Sequence, residues 1–372
     1  MLLGEANSKV QHIAGSLLRP DRAHEMNAVY LAKGVLGTTA IEGNTLSEEE
    51  VRGLVEGDLE LPPSQEYLRQ ATDNIIAAYN RIKDDLLAGV SLPLDPAVLA
   101  DYNCAVLRDL PLEDGVVPGK IPEHSVVVGR YRAAPREDCL HLLETLCDWL
   151  NSGDFTPPSQ DWIVPMALIK SVVAHIYIAW IHPFGDGNGR TARMVELRIL
   201  MEAGVPMPAA HLLSNYYNLT REQYYRELDA ASRESRGAIG FLEYAVRGFV
   251  DGLCDQLKIV RDQQFADRWE QYIYEQFSGR DAAPDRRRRA LALGISEATE
   301  PVRPTDMRRL SPKLAEEYAG KAERTVYRDV EALLEMNLIE KVEGGFSPAK
   351  GQLLGFLPLA AVELPVAPTY PV

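Results

Sequence analysis

The residues from Ile181 to Leu200, "IHPFGDGNGRTARMVELRIL", bring together the groups that phosphate chemistry needs. The apolar stretch "VPMALIKSVVAHIYIAWI" delivers the chain to His182, and Pro183 stops that helix, which fixes the imidazole at a rim. Gly185, Gly187 and Gly189 let backbone N–H groups turn into a concave nest, and a helix starting near Asn188 aims its positive pole at the same space. Arg190 and Arg193 lie near one another on the first turns of that helix and add guanidinium donors for phosphate oxygens. A carboxylate inside such a loop, Asp186, would most naturally hold a divalent cation, magnesium with several waters. A neutral imidazole, with an ordinary pKa of about 6.5, can take a proton from an attacking hydroxyl near pH 7.

Other readings of these residues are weaker. The chain has no GxxxxGK[ST] and no strand leading into GxGxxG, which excludes a Walker loop and a dinucleotide fold. "GDGNG" alone reads as a surface turn, and the flanking His-Pro-Phe and two arginines reverse that reading. His175 lies seven residues before His182, roughly on the same helix face. It is read as a buried, hydrogen-bonded histidine without a catalytic role rather than a shared metal ligand. Cys104, Cys139, Cys147 and Cys254 lack CxxC spacing, so they are read as buried free thiols.

A second stretch, "TTAIEGNT" from Thr38 to Thr45, reads as the last turn of a helix, with Gly43 and Asn44 as stop residues. Glu42 is out of place there. A carboxylate at the negative pole of a helix costs about 0.3–1 kcal/mol, so a cation is expected to answer it. A charge-assisted hydrogen bond to such a cation contributes about 1.5–3 kcal/mol, more than that cost. Thr38, one turn earlier, is placed to brace that contact. The next helix starts with a capping box, Ser47 and Glu50.

Helical periodicity dominates the rest, over about 64–88, 95–109, 136–151, 160–181, 188–203 and 220–254, and continues to about Phe277. The fold class is therefore mainly α. "HSVVVGRYRAAP", His124 to Pro135, is the exception, a short hairpin or extended edge able to hold an extended peptide. "SGRDAAPDRRRR" ends the long helical run at a domain boundary. The expected organisation is an N-terminal helical region over 1–95, a catalytic core over 96–255, a helical linker over 256–285, a second domain over 286–360 and a Pro-rich tail over 361–372.

Hydrophobic residues make up 46% of the chain and charged ones 25%, an ordinary globular balance. No apolar run is read as reaching the roughly 18 residues of a membrane span, and "MLLGEANSKVQH" lacks the pattern of a secretion signal. A cytoplasmic protein without a membrane partner is expected. The net charge of -15 is uneven: residues 280–360 hold 14 Lys and Arg against 13 Asp and Glu, so only this part could meet nucleic acid, and only locally.

"HPFGDGNGRTAR" matches every defining position of HPFx(D/N)GNGRxxR, the motif of the Fic family of adenylyltransferases. "TTAIEGN" resembles that family's inhibitory motif (S/T)xxxE(G/N), "VVVG" at Val126–Gly129 its target-binding flap, and "YYREL" from Tyr224 its nucleotide-base pocket. The resemblance spans about 20–250. It implies a Fic helical core with a small hairpin flap, transferring AMP from ATP to a Ser, Thr or Tyr hydroxyl of a target protein or of the chain itself. Removal of AMP stays open. His182 would be the general base and Asp186 the Mg2+ ligand. Gly187, Asn188, Gly189 and Arg190 would form the anion hole for the α and β phosphates, Arg193 would hold the γ-phosphate and Tyr225 would lie near the base. Val126, Val127, Val128 and Gly129 are grouped with these ATP-binding residues, and Glu42 and Thr38 would be inhibitory, with Arg193 as the cation that answers Glu42. Ser232 stands where some relatives place an asparagine against the base, so other nucleotides stay open.

"SPKLAEEYAGKAERTVYRDVEALLEMNLIEKVEGGFSP" shows two helical patterns turning near Gly320 and a wing around Gly344 and Gly345, and it resembles a winged helix-turn-helix domain. Arg324, Thr325, Tyr327 and Arg328 would start its second helix, where such domains meet DNA, although Glu323, Asp329 and Glu331 share that helix. A DNA-binding regulator with a nucleotide-sensing site is the alternative function. A homodimer stays open as well.

Overall fold

Pro20 and Gly43 delimit the helix that carries Glu42. Proline fits the first helical position, where its missing N–H costs nothing. Gly43 takes a φ of +95° just after the C-cap residue Glu42. The computed structural model describes the backbone of residues 1–123, 127–128, 131–233 and 236–354, and the chain divides into two units, Met1–Leu257 and Lys258–Val372.

The first unit begins with helices α1 (Leu2–Gly15), α2 (Pro20–Ile41), α3 (Glu48–Glu56), α4 (Glu66–Leu87) and α5 (Pro96–Leu107). Strands β1 (Val127–Val128) and β2 (Tyr131–Arg132) pair antiparallel, Val128 opposite Tyr131. Helices α6 (Arg136–Leu150), α7 (Ile163–Ile181), α8 (Asn188–Glu202), α9 (Met207–Ala210), α10 (Leu212–Leu219), α11 (Arg221–Arg233) and the start of α12 (Gly237–Gln276) complete it. The capping box of α3 forms as expected, Ser47 accepting from the Glu50 N–H while Glu50 accepts from the Ser47 N–H. Within the hairpin reading of 124–135, Val126 and Gly129 of the flap lie outside the described residues.

Three expectations need correction. Residues 220–254 are not one helix: α11 ends at Arg233 and α12 begins at Gly237. A Cβ at Gly237 would lie 2.0 Å from the Ala230 carbonyl oxygen, so the turn brings the two helices too close for any side chain there. Gln160–Ile181 is long and apolar enough to span a membrane by length and composition, contrary to the reading that no run was; 56% of its apolar window is buried within the protein. All four cysteines are free, but only Cys139 and Cys147 are buried; Cys104 on α5 and Cys254 on α12 face outward.

α7 is apolar on nearly all sides and packs along α8, so the two form the centre of the unit. α2 lies against α10 at a separation only glycine permits. A Cβ at Gly34 would stand 2.3 Å from His211 Nδ1, and one at Gly37 2.7 Å from the Ser214 carbonyl oxygen. This close seat sets where the end of α2, with Thr38 and Glu42, meets α8.

His211 is 1% exposed, and neither ring nitrogen has a hydrogen-bond partner among the described residues. Burial pushes its pKa down to about 3. Above pH 6.5 the ring is neutral in folded and unfolded chains alike. Between about 3 and 6.5 the unfolded chain binds a proton that the folded one refuses, so stability falls with pH by up to about 1.4 kcal/mol per unit. The urea midpoint is expected to drop from pH 7 to pH 5, and His211→Leu to flatten that drop. A slope unchanged in the variant would contradict this assignment.

The second unit holds the rest of α12, then α13 (Ala283–Glu297), α14 (Pro312–Glu317), α15 (Glu323–Glu335) and the antiparallel hairpin β3 (Ile339–Val342) with β4 (Gly345–Pro348). Trp269, Ile273 and Phe277 of α12 belong to its core, with Leu291, Leu314 and Leu333. The residues read as linker are thus part of that core. Asp329 on α15 is 1% exposed. It accepts from Arg287 at 2.6 and 3.2 Å, from Arg288 at 3.0 Å and from the Tyr318 hydroxyl at 2.9 Å. The tail over 361–372 lies outside the described residues.

Candidate nucleotide site

α7 ends on His182, which takes φ +48° and ψ +56° and donates its backbone N–H to Ile178 at 2.9 Å. Histidine tolerates this left-handed region better than bulky residues, and Pro183 bars a further helical turn. Burial lowers the imidazole pKa from its ordinary 6.5, against the upward pull of the Ala179 backbone and the Glu42 and Asp186 carboxylates. His182 is therefore a proton acceptor at neutral pH.

The loop after His182 is closed by Asn188. Its Oδ1 accepts from the Phe184 N–H at 2.9 Å and its Nδ2 donates to the Phe184 carbonyl at 2.7 Å. Its side chain thus shapes the loop, and what it can offer a ligand is its backbone N–H. Gly187, with φ +76°, is the N-cap of α8, so the N–H groups of Asn188, Gly189 and Arg190 have no intrahelical acceptor. Asn103 of α5, 0% exposed, supports the loop from behind by donating to the Asp186 carbonyl at 2.8 Å while accepting from the Gly119 N–H at 2.8 Å.

Arg193 is 1% exposed. Its Nε donates to Thr38 Oγ1 at 2.7 Å, and its Nη2 donates to the Thr38 carbonyl at 3.1 Å and to Glu42 Oε1 at 2.6 Å. Burial opposes the guanidinium charge, but the Glu42 carboxylate together with the Tyr224 and Tyr79 hydroxyls outweighs it and holds the group above its ordinary range. Glu42 Oε1 also occupies the space over Gly189, where a Cβ would come within 2.4 Å of it.

Two of the buried donors left without a hydrogen-bond partner among the described residues belong to this site: Arg190 Nε and Arg193 Nη1. A buried donor without an acceptor costs roughly 1–3 kcal/mol, and both stand beside the open start of α8. Phosphate oxygens are acceptors of the right charge for them. Arg190 Nη2 meanwhile donates to both Asp186 oxygens at 3.1 Å.

A cavity of about 270 Å³ is lined by Glu42, His182, Gly189, Tyr224, Tyr225 and Ser232, among others. A second, of about 210 Å³, is lined by Glu42, Asn44, Tyr67 and Arg190, among others. The Glu42 side chain borders both. The Tyr225 hydroxyl does not point freely into the first cavity: it donates to the Ile41 carbonyl at 3.2 Å, beside Arg221, whose Nη2 donates to the same oxygen at 2.7 Å. Arg221 thus places a cation on the last carbonyls of α2, a second answer to the helix end that the sequence reading missed. Nothing local marks Arg221 for this, since its partner lies on another helix 180 residues earlier.

Among the described residues no three His, Cys, Asp or Glu side chains form a metal cluster. Asp186 alone suits Mg2+, which takes one or two carboxylates and completes its shell with waters and phosphate oxygens. The partly exposed carboxylate held by Arg190 fits that use.

Residues 96–200 match the Fic/DOC family. The protein adenylyltransferase fic-1 of Caenorhabditis briggsae is 30% identical over 201 residues, 53% of this chain and 36% of that protein, and its Caenorhabditis elegans namesake gives the same figures. The protein adenylyltransferase Fic of Nematostella vectensis is 26% identical over 196 residues, covering 52% and 42%. The matches span about two fifths or less of the length of these curated relatives. A solved Fic family protein from Desulfovibrio desulfuricans G20 has a TM-score of 0.54 at 21% identity, covering 92% of this chain and 90% of that one. Fic-1 (residues 134–508) from Caenorhabditis elegans has a TM-score of 0.56 at 22% identity, covering 70% and 72%. Both share the fold of this chain.

Proposed function

We propose that the chain is a protein adenylyltransferase that moves AMP from ATP to a Ser, Thr or Tyr hydroxyl of a target protein, or of itself, and that Glu42 holds it in an inhibited state. The observation that carries the proposal is the pair of buried, unsatisfied arginine donors beside the α8 N-terminus, whose Gly189 lines one cavity with Glu42 and His182.

The α8 N–H groups with Arg190 would bind the α and β phosphates and Arg193 the γ-phosphate. Bound Mg2+ on Asp186 would supply neutralising charge. His182 takes the proton of the acceptor hydroxyl as its oxygen bonds to the α-phosphorus. The bond from that phosphorus to the bridging oxygen breaks and pyrophosphate leaves, its charge met by the two arginines. The chain's work is positioning and charge stabilisation. With Glu42 on Arg193, an incoming γ-phosphate would meet a carboxylate instead of a free guanidinium, and ATP would bind unproductively.

Incubation of the purified chain with ATP and Mg2+ followed by intact mass measurement tests the activity. A fraction of molecules heavier by one AMP is expected, larger in Glu42→Gly; no gain in either protein, with or without added target, would overturn the proposal.

A second reading, a DNA-binding regulator with a nucleotide-sensing site, draws on the second unit. Asp329 is withdrawn into an ionic cluster, which leaves Arg324, Tyr327 and Arg328 exposed on α15 ahead of the β3–β4 hairpin, as in a winged helix-turn-helix. In this reading a shifted DNA band is lost when residues beyond 280 are deleted. A cytoplasmic homodimer belongs to the same proposal.

A further inference from the structure

Behind the cavity wall lies a polar cluster that the transfer chemistry does not use. His175 on α7, Glu196 on α8, Tyr217 on α10 and Tyr224 on α11 are each at most 3% exposed. His175 Nε2 lies 3.0 Å from the Tyr224 hydroxyl, and His175 Nδ1 3.0 Å from Glu196 Oε2. The Tyr217 hydroxyl donates to Glu196 Oε1 at 2.9 Å. Neither His175 Nδ1 nor Glu196 Oε2 has a hydrogen-bond partner among the described residues, so the two meet by close approach alone. The hydrogen bond that joins the cluster to the cavity wall is the one between His175 Nε2 and the Tyr224 hydroxyl. The rings of Tyr217 and Tyr224 stack at 4.9 Å, and Phe241 packs against both.

The placement of these four side chains is what gives the cluster meaning. His175 shares α7 with His182, Glu196 follows Arg193 by one turn of α8, and Tyr224 lines the cavity next to Tyr225. Apolar packing lets helices slide over small distances, whereas hydrogen bonds fix length and direction. We propose that His175 and Glu196 are positioning residues for the nucleotide: through Tyr224 they hold the α11 wall of the cavity at a set distance from the His182 loop and the α8 phosphate cradle. This rests on the nucleotide reading of the cavity.

The test is calorimetric ATP affinity in a Glu42→Gly parent, with melting temperature recorded for every variant. Tyr224→Phe removes one hydroxyl and is expected to weaken ATP binding about tenfold, and to raise KM for ATP more than it lowers kcat. Tyr217→Phe, whose side chain does not line the cavity, is expected to weaken binding in the same direction by less. Phe241→Leu loosens the same core without touching a polar bond, and is expected to lower the melting temperature while leaving ATP affinity in place. Unchanged affinity in both tyrosine variants, or an equal loss in Phe241→Leu, would overturn the positioning role while the parent still binds ATP. A parent that binds no ATP would overturn the nucleotide reading itself, and this role with it.

Discussion

Glu42→Gly is expected to raise the rate of the proposed AMP transfer by roughly 10- to 150-fold, the factor equivalent to a charge-assisted hydrogen bond of about 1.5–3 kcal/mol. The bond in question is the 2.6 Å contact from Arg193 Nη2 to Glu42 Oε1. Removing the carboxylate frees a buried guanidinium for phosphate without setting it loose, because Thr38 still accepts from Nε and Nη2. The helix itself should tolerate the change. Glycine is favoured near a helix end, and the substitution takes an anion away from the negative pole, worth about 0.3–1 kcal/mol. Initial rates at saturating ATP, read beside the melting temperature, separate release of inhibition from general loosening. Equal rates in the two proteins would mean that the clamp does not govern the site.

His182→Ala is expected to lower transfer by about 10²- to 10⁴-fold, the usual worth of a general base, and to leave ATP affinity within a few-fold. Binding should be kept because, in this assignment, the phosphate donors would belong to α8, Arg190 and Arg193 and none to the imidazole. The same assignment fixes the pH profile. Burial holds the His182 pKa below 6.5, so the basic form persists into mild acid and the rate falls only below that value. The Glu42 carboxylate pulls this pKa upward, so in Glu42→Gly the acid limb moves to lower pH still. A limb above pH 7, or one that moves upward in the variant, would point to another base. ATP binding lost in parallel with transfer would recast His182 as a ligand contact.

The parts of this site that lie close along the chain were open to sequence reasoning. Gly187, Asn188 and the arginines one turn on describe a helix start with anion-binding capacity, and Gly43 after Ile41 describes a helix stop. That Glu42 needs a cation was readable as well, because a carboxylate at a helix's negative end asks for one; that the cation is Arg193, 151 residues on, came with the resemblance of "TTAIEGN" to an inhibitory motif. What stayed hidden depends on packing. Asn103 supports the loop from a helix more than 80 residues away, and Arg221 caps α2 from α11. His175 could be read as a satisfied core histidine, but its partners Glu196 and Tyr224 could not. Polar residues on neighbouring helices carry no local mark of the bond they share. The break between α11 and α12 was missed for a similar reason, since helical periodicity runs almost unbroken across it and the close approach at Gly237 exists only in three dimensions.

The central claim is that this site transfers the adenylyl group, under the control of Glu42. The most direct measurement compares label transferred to protein from ATP carrying it on the α-phosphate with label from ATP carrying it on the γ-phosphate. Wild type, Glu42→Gly and Glu42→Gly/His182→Ala are run side by side in a host lysate. The expected result is α-label on protein in Glu42→Gly, far less in wild type, none above background in the double variant, and no γ-label attributable to any of them. Transfer of the γ-label by Glu42→Gly, or α-labelling that is the same in all three proteins, would contradict it.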